Sequence, residues 1–426
     1  MIETSKKEKA LLVVAKTKEE SWSRQMLSSE FEALVLSTGI EVKKTIDFNL
    51  NQPNASLYIG KGKAAEIKEI LESADINVVI FNTNLHYSQQ RNLEDIFQLK
   101  TLDRTQLILD IFAKHAKTKE GGLQVELAQL QYLLPRLRGK GLMLSRLGGG
   151  IGTLGPGETK LEVDRRKISE KITHIKQEIK QISRHRNLAR KKRQRQKIPV
   201  CSLVGYTNAG KTTLFNLLTK DQQKTSSNLF TTLNTVARKV KIREGMDIII
   251  SDTVGFIHRL PPNLIDAFKA TLEELNYSDL LLHLVDASAS NIGQIRKSVD
   301  QVLAELNLIN KEKIIVFNKI DSLDQITLEK MERSYPEIIF ISASTGEGVD
   351  RLKKEIYHYL SKNFLELIVK VPISRMDIMN FFHKNSQVLK TKYGKDNISC
   401  WIRISRAKLS FLKKENLEME NLNGMK

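Results

Sequence analysis

Apolar residues along this chain keep two different periods. Leu123, Leu127, Leu130, Leu134 and Leu137 recur at spacings of 4, 3, 4 and 3, and Ile168, Ile172, Ile175, Ile179 and Ile182 repeat that rhythm. The spacing predicts the seams of two helices, which most simply pair with each other as a helical hairpin. Between them, Gly139 to Gly157 holds eight glycines with Lys140 and Arg146 interspersed. Each glycine costs a helix about 1 kcal/mol, so this segment is expected to be an exposed, non-helical tip. Elsewhere the period is shorter. Leu11 to Ala15 and Val78 to Phe81 read as strands and Ala64 to Leu71 as a helix, predicting a small α/β unit over residues 1–103. From Val200 to about Leu360, strand and helix signals alternate in the rhythm of a mostly parallel sheet covered on both faces. Leu365 to Val371 and Ile398 to Ile404, around the helix-like Met376 to Leu389, predict a small α+β appendage. The expected organisation is therefore an α/β unit at 1–103, the hairpin at 104–199, a larger α/β domain at 200–362 and an α+β unit at 363–426.

Charge adds a partner class. The 426 residues carry 68 Lys and Arg against 49 Asp and Glu, a formal net charge of +19. Residues 160–199 alone hold 15 Lys and Arg and 4 Asp and Glu, so most of the excess sits on one stretch. Such a concentration points to a polyanion, RNA or an anionic membrane surface. Cys201 and Cys400 are the only cysteines, too few for a disulfide framework or a cysteine metal site. No apolar run approaches the roughly 18 residues of a membrane span, and the charged start, Met1 to Lys9, lacks the apolar core of a secretory signal. The cytoplasm is the expected compartment, with a membrane-associated fraction left open by the charge.

The chemistry lies in the larger α/β domain. Gly205, Tyr206, Thr207, Asn208, Ala209, Gly210, Lys211 and Thr212 fit the phosphate-loop pattern, after the apolar strand Val200 to Val204 and before a helix opening at Thr213. Successive backbone N–H groups and the helix N-terminus can wrap phosphates, Lys211 can bridge the β- and γ-oxygens, and the Thr212 hydroxyl can ligate Mg²⁺. Asp252, Thr253, Val254 and Gly255 follow the strand Ile248 to Ile250; there the carboxylate can hold Mg²⁺ through water and the Gly255 N–H can sense a γ-phosphate. Asn318, Lys319, Ile320 and Asp321 follow the strand Ile314 to Phe317. The Asp321 carboxylate can accept from both N1–H and N2–H₂ of guanine, a pair of donors that adenine lacks. Ser342, Ala343 and Ser344, after Ile338 to Ile341, supply a backbone N–H for guanine O6.

These four elements, in this order, resemble the P-loop GTPases. In that comparison Phe230, Thr231, Thr232, Leu233 and Asn234 resemble the first switch, with Thr232 the expected second Mg²⁺ hydroxyl and Thr231 its competitor. Lys211, Thr232 and Gly255 are the expected catalytic groups. Phe256 stands where Ras-like proteins place the glutamine that orients the attacking water, and an apolar ring cannot do that. Slow intrinsic GTP hydrolysis, accelerated by an outside partner, is the expectation.

The flanks narrow the resemblance. Asn92 to Glu94, Asp103 to Thr105, Leu107 to Ala113, Leu123 to Ala128 and the block from Gly149 through Thr159 are similar to the HflX GTPases, over residues from about 57 to 360. The resemblance implies association with ribosomes, mainly the large (50S) subunit and its RNA, and a part in splitting or rescuing stalled ribosomes. Arg146, Gly152 and Gly155 in the tip, with Arg184, Arg186, Arg190, Lys191, Lys192 and Arg193 on the basic stretch, are the expected RNA contacts. A monomer is expected. Gly150 to Gly155 also spells G-x-G-x-x-G, but without the strand a dinucleotide fold requires, and Gly60 to Lys63 reads as a tight turn with solvated lysines. Two other readings compete: a GTPase acting in transfer RNA modification, which would need a second catalytic site, and a membrane or cell-division switch. The second would place Trp or Phe on the apolar face of its basic helix, and the basic stretch has neither.

Overall fold

A computed structural model describes residues 8–116, 118–147, 160–196, 198–220, 236–243, 246–261, 272–362, 364–405 and 417–421, with single positions at 264, 412 and 415. It contains three sheets. The first is a parallel sheet in the order β2-β1-β3-β4, built from β1 (Lys9–Thr17), β2 (Glu41–Leu50), β3 (Val78–Phe81) and β4 (Lys100–Leu102). Helices α1 (Arg24–Leu36), α2 (Lys61–Ser73) and α3 (Tyr87–Phe97) connect its strands. Both faces are covered, which is why β1 buries consecutive residues rather than alternate ones.

Helix α4 (Arg104–His115) starts where Asp103 caps it by accepting from the Gln106 N–H at 2.8 Å. Its Leu107, Ile108, Ile111 and Phe112 pack with Leu12, Phe31 and Ile80 in the core of the first sheet. The arm is expected to begin at residue 104, but the apolar face of α4 finds its partner in the N-terminal unit.

The arm itself follows as α5 (Lys119–Leu147) and α6 (Lys160–Gln196). Leu127 packs with Ile172, Ile175 and Ile179, with Leu123, Leu130, Leu134 and Ile168 at the margin, so the two expected stripes do meet. The helices run antiparallel, with Lys119 paired to Glu178 and Lys171 to Glu126. One expectation fails. Helix α5 continues through Pro135, Gly139 and Gly141 to Leu147, so the first part of the glycine-rich segment is helical and Arg146 lies on a helix, not in a loop. Two isolated glycines cost a helix about 2 kcal/mol, which Leu137, Arg138, Lys140, Leu142, Met143 and Leu144, all good helix formers, offset. Gly152 and Gly155 lie outside the described residues.

The second sheet has the order β10-β9-β8-β5-β7-β6, from β5 (Val200–Gly205), β6 (Val236–Arg243), β7 (Met246–Asp252), β8 (Leu280–Asp286), β9 (Lys313–Asn318) and β10 (Ile339–Phe340). Only β6 is antiparallel to its neighbour. Around the sheet lie α7 (Lys211–Thr219), α8 (Ile292–Glu305), α9 (Gln325–Ser334) and α10 (Val349–Ser361). The third sheet is antiparallel, β12-β13-β11-β14, from β11 (Phe364–Pro372), β12 (Gln387–Tyr393), β13 (Asn397–Ser405) and β14 (Glu418–Asn421), with α11 (Met376–Asn385) against it. Here the helix stops before the expected Leu389, because Val388 and Leu389 enter an edge strand with a bulge between Val388 and Lys390. No helix among the described residues is long and apolar enough to cross a membrane.

The first two sheets share one apolar cluster: Leu12, Phe31, Ile108 and Phe112 of the N-terminal unit are continuous with Tyr206, Phe256, Leu281 and Val299. The N-terminal unit therefore abuts the region where the nucleotide motifs converge.

Candidate nucleotide site

The motifs gather at the carboxyl ends of β5, β7 and β9, the edge at which open α/β sheets bind ligands. Strand β5 is buried almost throughout, and the chain leaves it at Gly205 to form the phosphate loop before α7 begins at Lys211. Gly210 occupies the left-handed region, with φ of 87°, and a Cβ there would overlap the Asn318 side-chain amide. Only glycine meets both demands.

Lys211 is 7% exposed and its Nζ donates to Gly205 O at 3.0 Å and Tyr206 O at 2.7 Å. Burial pulls its pKa down to about 8, with the charge of Asp252 opposing. A buried ammonium satisfied by two carbonyls is a ready anion partner, since phosphate oxygens restore the charge it is losing. The Thr212 hydroxyl donates to Asp252 Oδ2 at 2.8 Å across the neighbouring strand end. Two oxygen donors so close, one anionic, form the hard ligand set that Mg²⁺ accepts, so the residues fit that ion. The Thr253 hydroxyl is tied to Leu203 O at 2.6 Å, while Val254 and Phe256 are buried. Thr207 and Ala209 are buried, Thr213 is half-buried and Asn208 is exposed.

Asn318 joins two loops: its Nδ2 donates to Ala209 O at 2.8 Å and its Oδ1 accepts from the Ala343 N–H at 2.9 Å. The base-reading segment and the phosphate loop are thus held in one register. Lys319 is left-handed, with φ of 68°, and its Nζ pairs with Asp286 Oδ2 at 2.6 Å. Ile320 is buried, and Asp321 is exposed with its carboxyl held below the usual range chiefly by a hydrogen bond from Ser342. An exposed, ionised acceptor beside an ordered loop is what recognition of guanine N1–H and N2–H₂ requires. The Ser342 and Ser344 hydroxyls lie 2.8 Å apart and shape that loop.

Phe230, Thr231, Thr232, Leu233 and Asn234 lie outside the described residues. Arg184 is exposed on α6, and Arg186, Arg190, Lys191, Lys192 and Arg193 follow along the same helix. Sequence reasoning missed Asp286, although a carboxylate ending a strand that is apolar apart from His283 was a usable signal. It also missed Glu20, Glu30, Arg104 and His258, which surround Tyr206 and the segment after Gly255.

Residues 200–319 match the family described as 50S ribosome-binding GTPase. Residues 25–113 and 115–193 match the N-terminal and middle regions described for GTP-binding GTPases, and residues 327–420 match the HflX C-terminal domain. GTPase HflX of Caldanaerobacter subterraneus subsp. tengcongensis is 43% identical over 92% of this chain and 90% of its own length. GTPase HflX of Escherichia coli is 37% identical over 88% of this chain and 89% of its own. A crystal structure of a GTP-binding protein from the archaeon Sulfolobus solfataricus in complex with GDP is 27% identical, with a TM-score of 0.41, covering 83% of this chain and 99% of that one.

Proposed function

The chain belongs to the HflX GTPase family, and from that premise we propose that it is a GTP-gated factor of the large ribosomal subunit that splits or rescues stalled ribosomes. That it binds guanine nucleotide and hydrolyses GTP follows from the family and the P-loop GTPase fold. The observation that carries the gating is the convergence of Lys211, Thr212 and Asp252 with the Gly255 segment in one pocket.

Lys211 neutralises the β- and γ-oxygens, and α7 adds the partial positive charge of its N-terminus. Thr212, Asp252 and Thr232 would hold Mg²⁺, which supplies further charge neutralisation on the phosphates when bound. Gly255 donates its N–H to the γ-phosphate, and Asn318 and Asp321 choose guanine. Phe256, at 1% exposure, is packed into the core and cannot orient water, so intrinsic hydrolysis is slow and the ribosome supplies or orders what is missing. In the GTP state Gly255 and Thr232 hold the two switches ordered; loss of the γ-phosphate releases them and lowers affinity for the ribosome.

The arm, with Arg184, Arg186, Arg190, Lys191, Lys192 and Arg193 on one helix, neutralises ribosomal RNA phosphates, and Gly152 and Gly155 between its helices approach the RNA backbone. The factor acts as a monomer in the cytoplasm. Intact ribosomes incubated with the GTP-loaded protein are expected to sediment as separate subunits, and with the GDP-loaded protein as intact particles. If intact particles persist in both states, the splitting role is wrong.

A further inference from the structure

Helix α1 buries one face in its own unit and turns another to the GTPase domain. Leu27, Phe31, Leu34 and Val35 pack into the core of the first sheet, while Gln25, Ser29 and Ala33, four residues apart, share a different face of the helix. That second face stands opposite the phosphate loop. Ser29 and Ala33 are too short to fill the space, and a cleft of about 460 Å³ remains between α1, Tyr206 to Asn208 of the phosphate loop, and the approach to α8 at Ser290 and Asn291. Small molecules bind in clefts of this size, preferentially where domains meet. Tyr206 faces it from the GTPase side, and its hydroxyl donates to Glu30 of α1 at 3.1 Å. Lys211, Thr212, Asp252, Asn318 and Asp321 take no part in the wall, so the cleft is separate from the pocket in which the nucleotide motifs converge.

The wall suits a flat, uncharged molecule. Met26, Tyr206 and Ile295 supply apolar surface on which a ring can lie. Three carboxamides, those of Gln25, Asn208 and Asn291, line the same space, and among the described residues none of these side chains has a hydrogen-bond partner. Asn291 precedes α8 without capping it, although asparagine is among the strongest capping residues. A carboxamide offers a donor and an acceptor side by side. The edges of nucleobases carry the matching pattern, and Asn or Gln can meet such an edge with two hydrogen bonds at once. No Lys, Arg or His lines the cleft. Its one charged group, Glu30, is already held by the fork of Arg104 at 2.9 and 2.6 Å. A phosphate entering with the base would meet a carboxylate and no cation.

We propose that this cleft is a second ligand site, distinct from the GTP pocket, and that it takes an uncharged nucleobase or nucleoside, with the ring against Met26, Tyr206 and Ile295 and its polar edge on the free carboxamides. The same charge argument excludes a base carried on an RNA strand, whose phosphates would be drawn towards Glu30. A nucleoside has about 20 non-hydrogen atoms, and at the usual efficiency of such ligands it half-saturates the site near 0.1 mM. Its monophosphate is expected to bind at least about tenfold more weakly.

The test uses the full chain saturated with GDP, which fills the GTP pocket, and titrates it by calorimetry with adenosine, guanosine, cytidine and uridine and with the corresponding monophosphates. At least one nucleoside is expected to bind with a Kd of about 0.1 mM, and its monophosphate at least about tenfold more weakly. Ala33→Phe fills the cleft from an exposed position and should weaken that nucleoside at least about tenfold while leaving GDP within about twofold of the original. Gln25→Ala removes one carboxamide and should weaken it about threefold to tenfold; this exposed side chain has no partner to lose among the described residues, so it decides the matter if Ala33→Phe fails to fold. The proposal is overturned if no nucleoside binds below about 1 mM, if the monophosphate binds as tightly as the nucleoside, or if binding survives these substitutions unchanged.

Discussion

Gly210→Ala strikes the point where phosphate loop and base-reading loop are joined. Its φ of 87° forces an L-residue into the left-handed region, at a cost of about 1–2 kcal/mol. The new Cβ would also overlap Asn318 Nδ2, whose 2.8 Å bond to Ala209 O must break; a hydrogen bond of this kind contributes about 1 kcal/mol net. Together these amount to roughly 2–3 kcal/mol, or about 30-fold to 150-fold in nucleotide affinity. Isothermal titration with GDP measures the loss directly. The same substitution in an Asn318→Ala background meets no amide, so only the backbone part remains, about fivefold to 30-fold. The difference between the two backgrounds is the coupling through Asn318. If Gly210→Ala binds GDP within about threefold of the original chain, or costs the same in both backgrounds, the reasoning about this junction is wrong.

Three further outcomes follow from the same geometry. Phe256→Gln puts an amide into the apolar core without a partner, so it should destabilise the protein by about 2–4 kcal/mol without faster single-turnover hydrolysis; thermal melting and a hydrolysis time course check both halves. Lys211, drawn down to about 8 by burial against the opposing charge of Asp252, must be protonated to hold phosphates. GTP affinity therefore falls up to about tenfold per unit as pH rises above about 8, and a fluorescence titration that stays level there would contradict the assignment. Burial alone would raise the Glu20 pKa, but hydrogen bonds from His258 and the Trp22 N–H and the charges of His258 and Arg259 bring it from 4.5 to about 2. Its stabilising contribution is present above the unfolded value and lost as pH falls from 4.5 towards about 2, so Glu20→Gln should flatten the acid limb of a stability curve.

The nucleotide pocket was legible because its parts are local. Each of Gly205 to Thr212, Asp252 to Gly255 and Asn318 to Asp321 is a strand end followed by a loop, and the chemistry of each can be argued from a few adjacent residues. The two arm helices were legible because a seven-residue apolar rhythm specifies its own partner face. What failed was of two kinds. Glycine density predicts a non-helical tip from Gly139, but glycines at 139 and 141 are flanked by strong helix formers and the helix runs on to Leu147. The contacts of the N-terminal unit with the segment after Gly255 were invisible for another reason: Glu20 and His258 are 238 residues apart and Arg104 and His258 are 154 apart, and no periodicity or motif announces a contact between residues so distant. Phe256 lies between these cases. Its unsuitability for catalysis could be read from its chemistry, but its place in the shared core needed the fold.

The central claim is that the γ-phosphate gates attachment to the ribosome. Co-sedimentation of the full chain with purified large subunits, in GDP and in a non-hydrolysable GTP analogue, tests it most directly. Retention of the protein on the subunits at least about tenfold stronger with the analogue, a differential of about 1.4 kcal/mol, is the predicted result. Equal retention in the two nucleotides would contradict it.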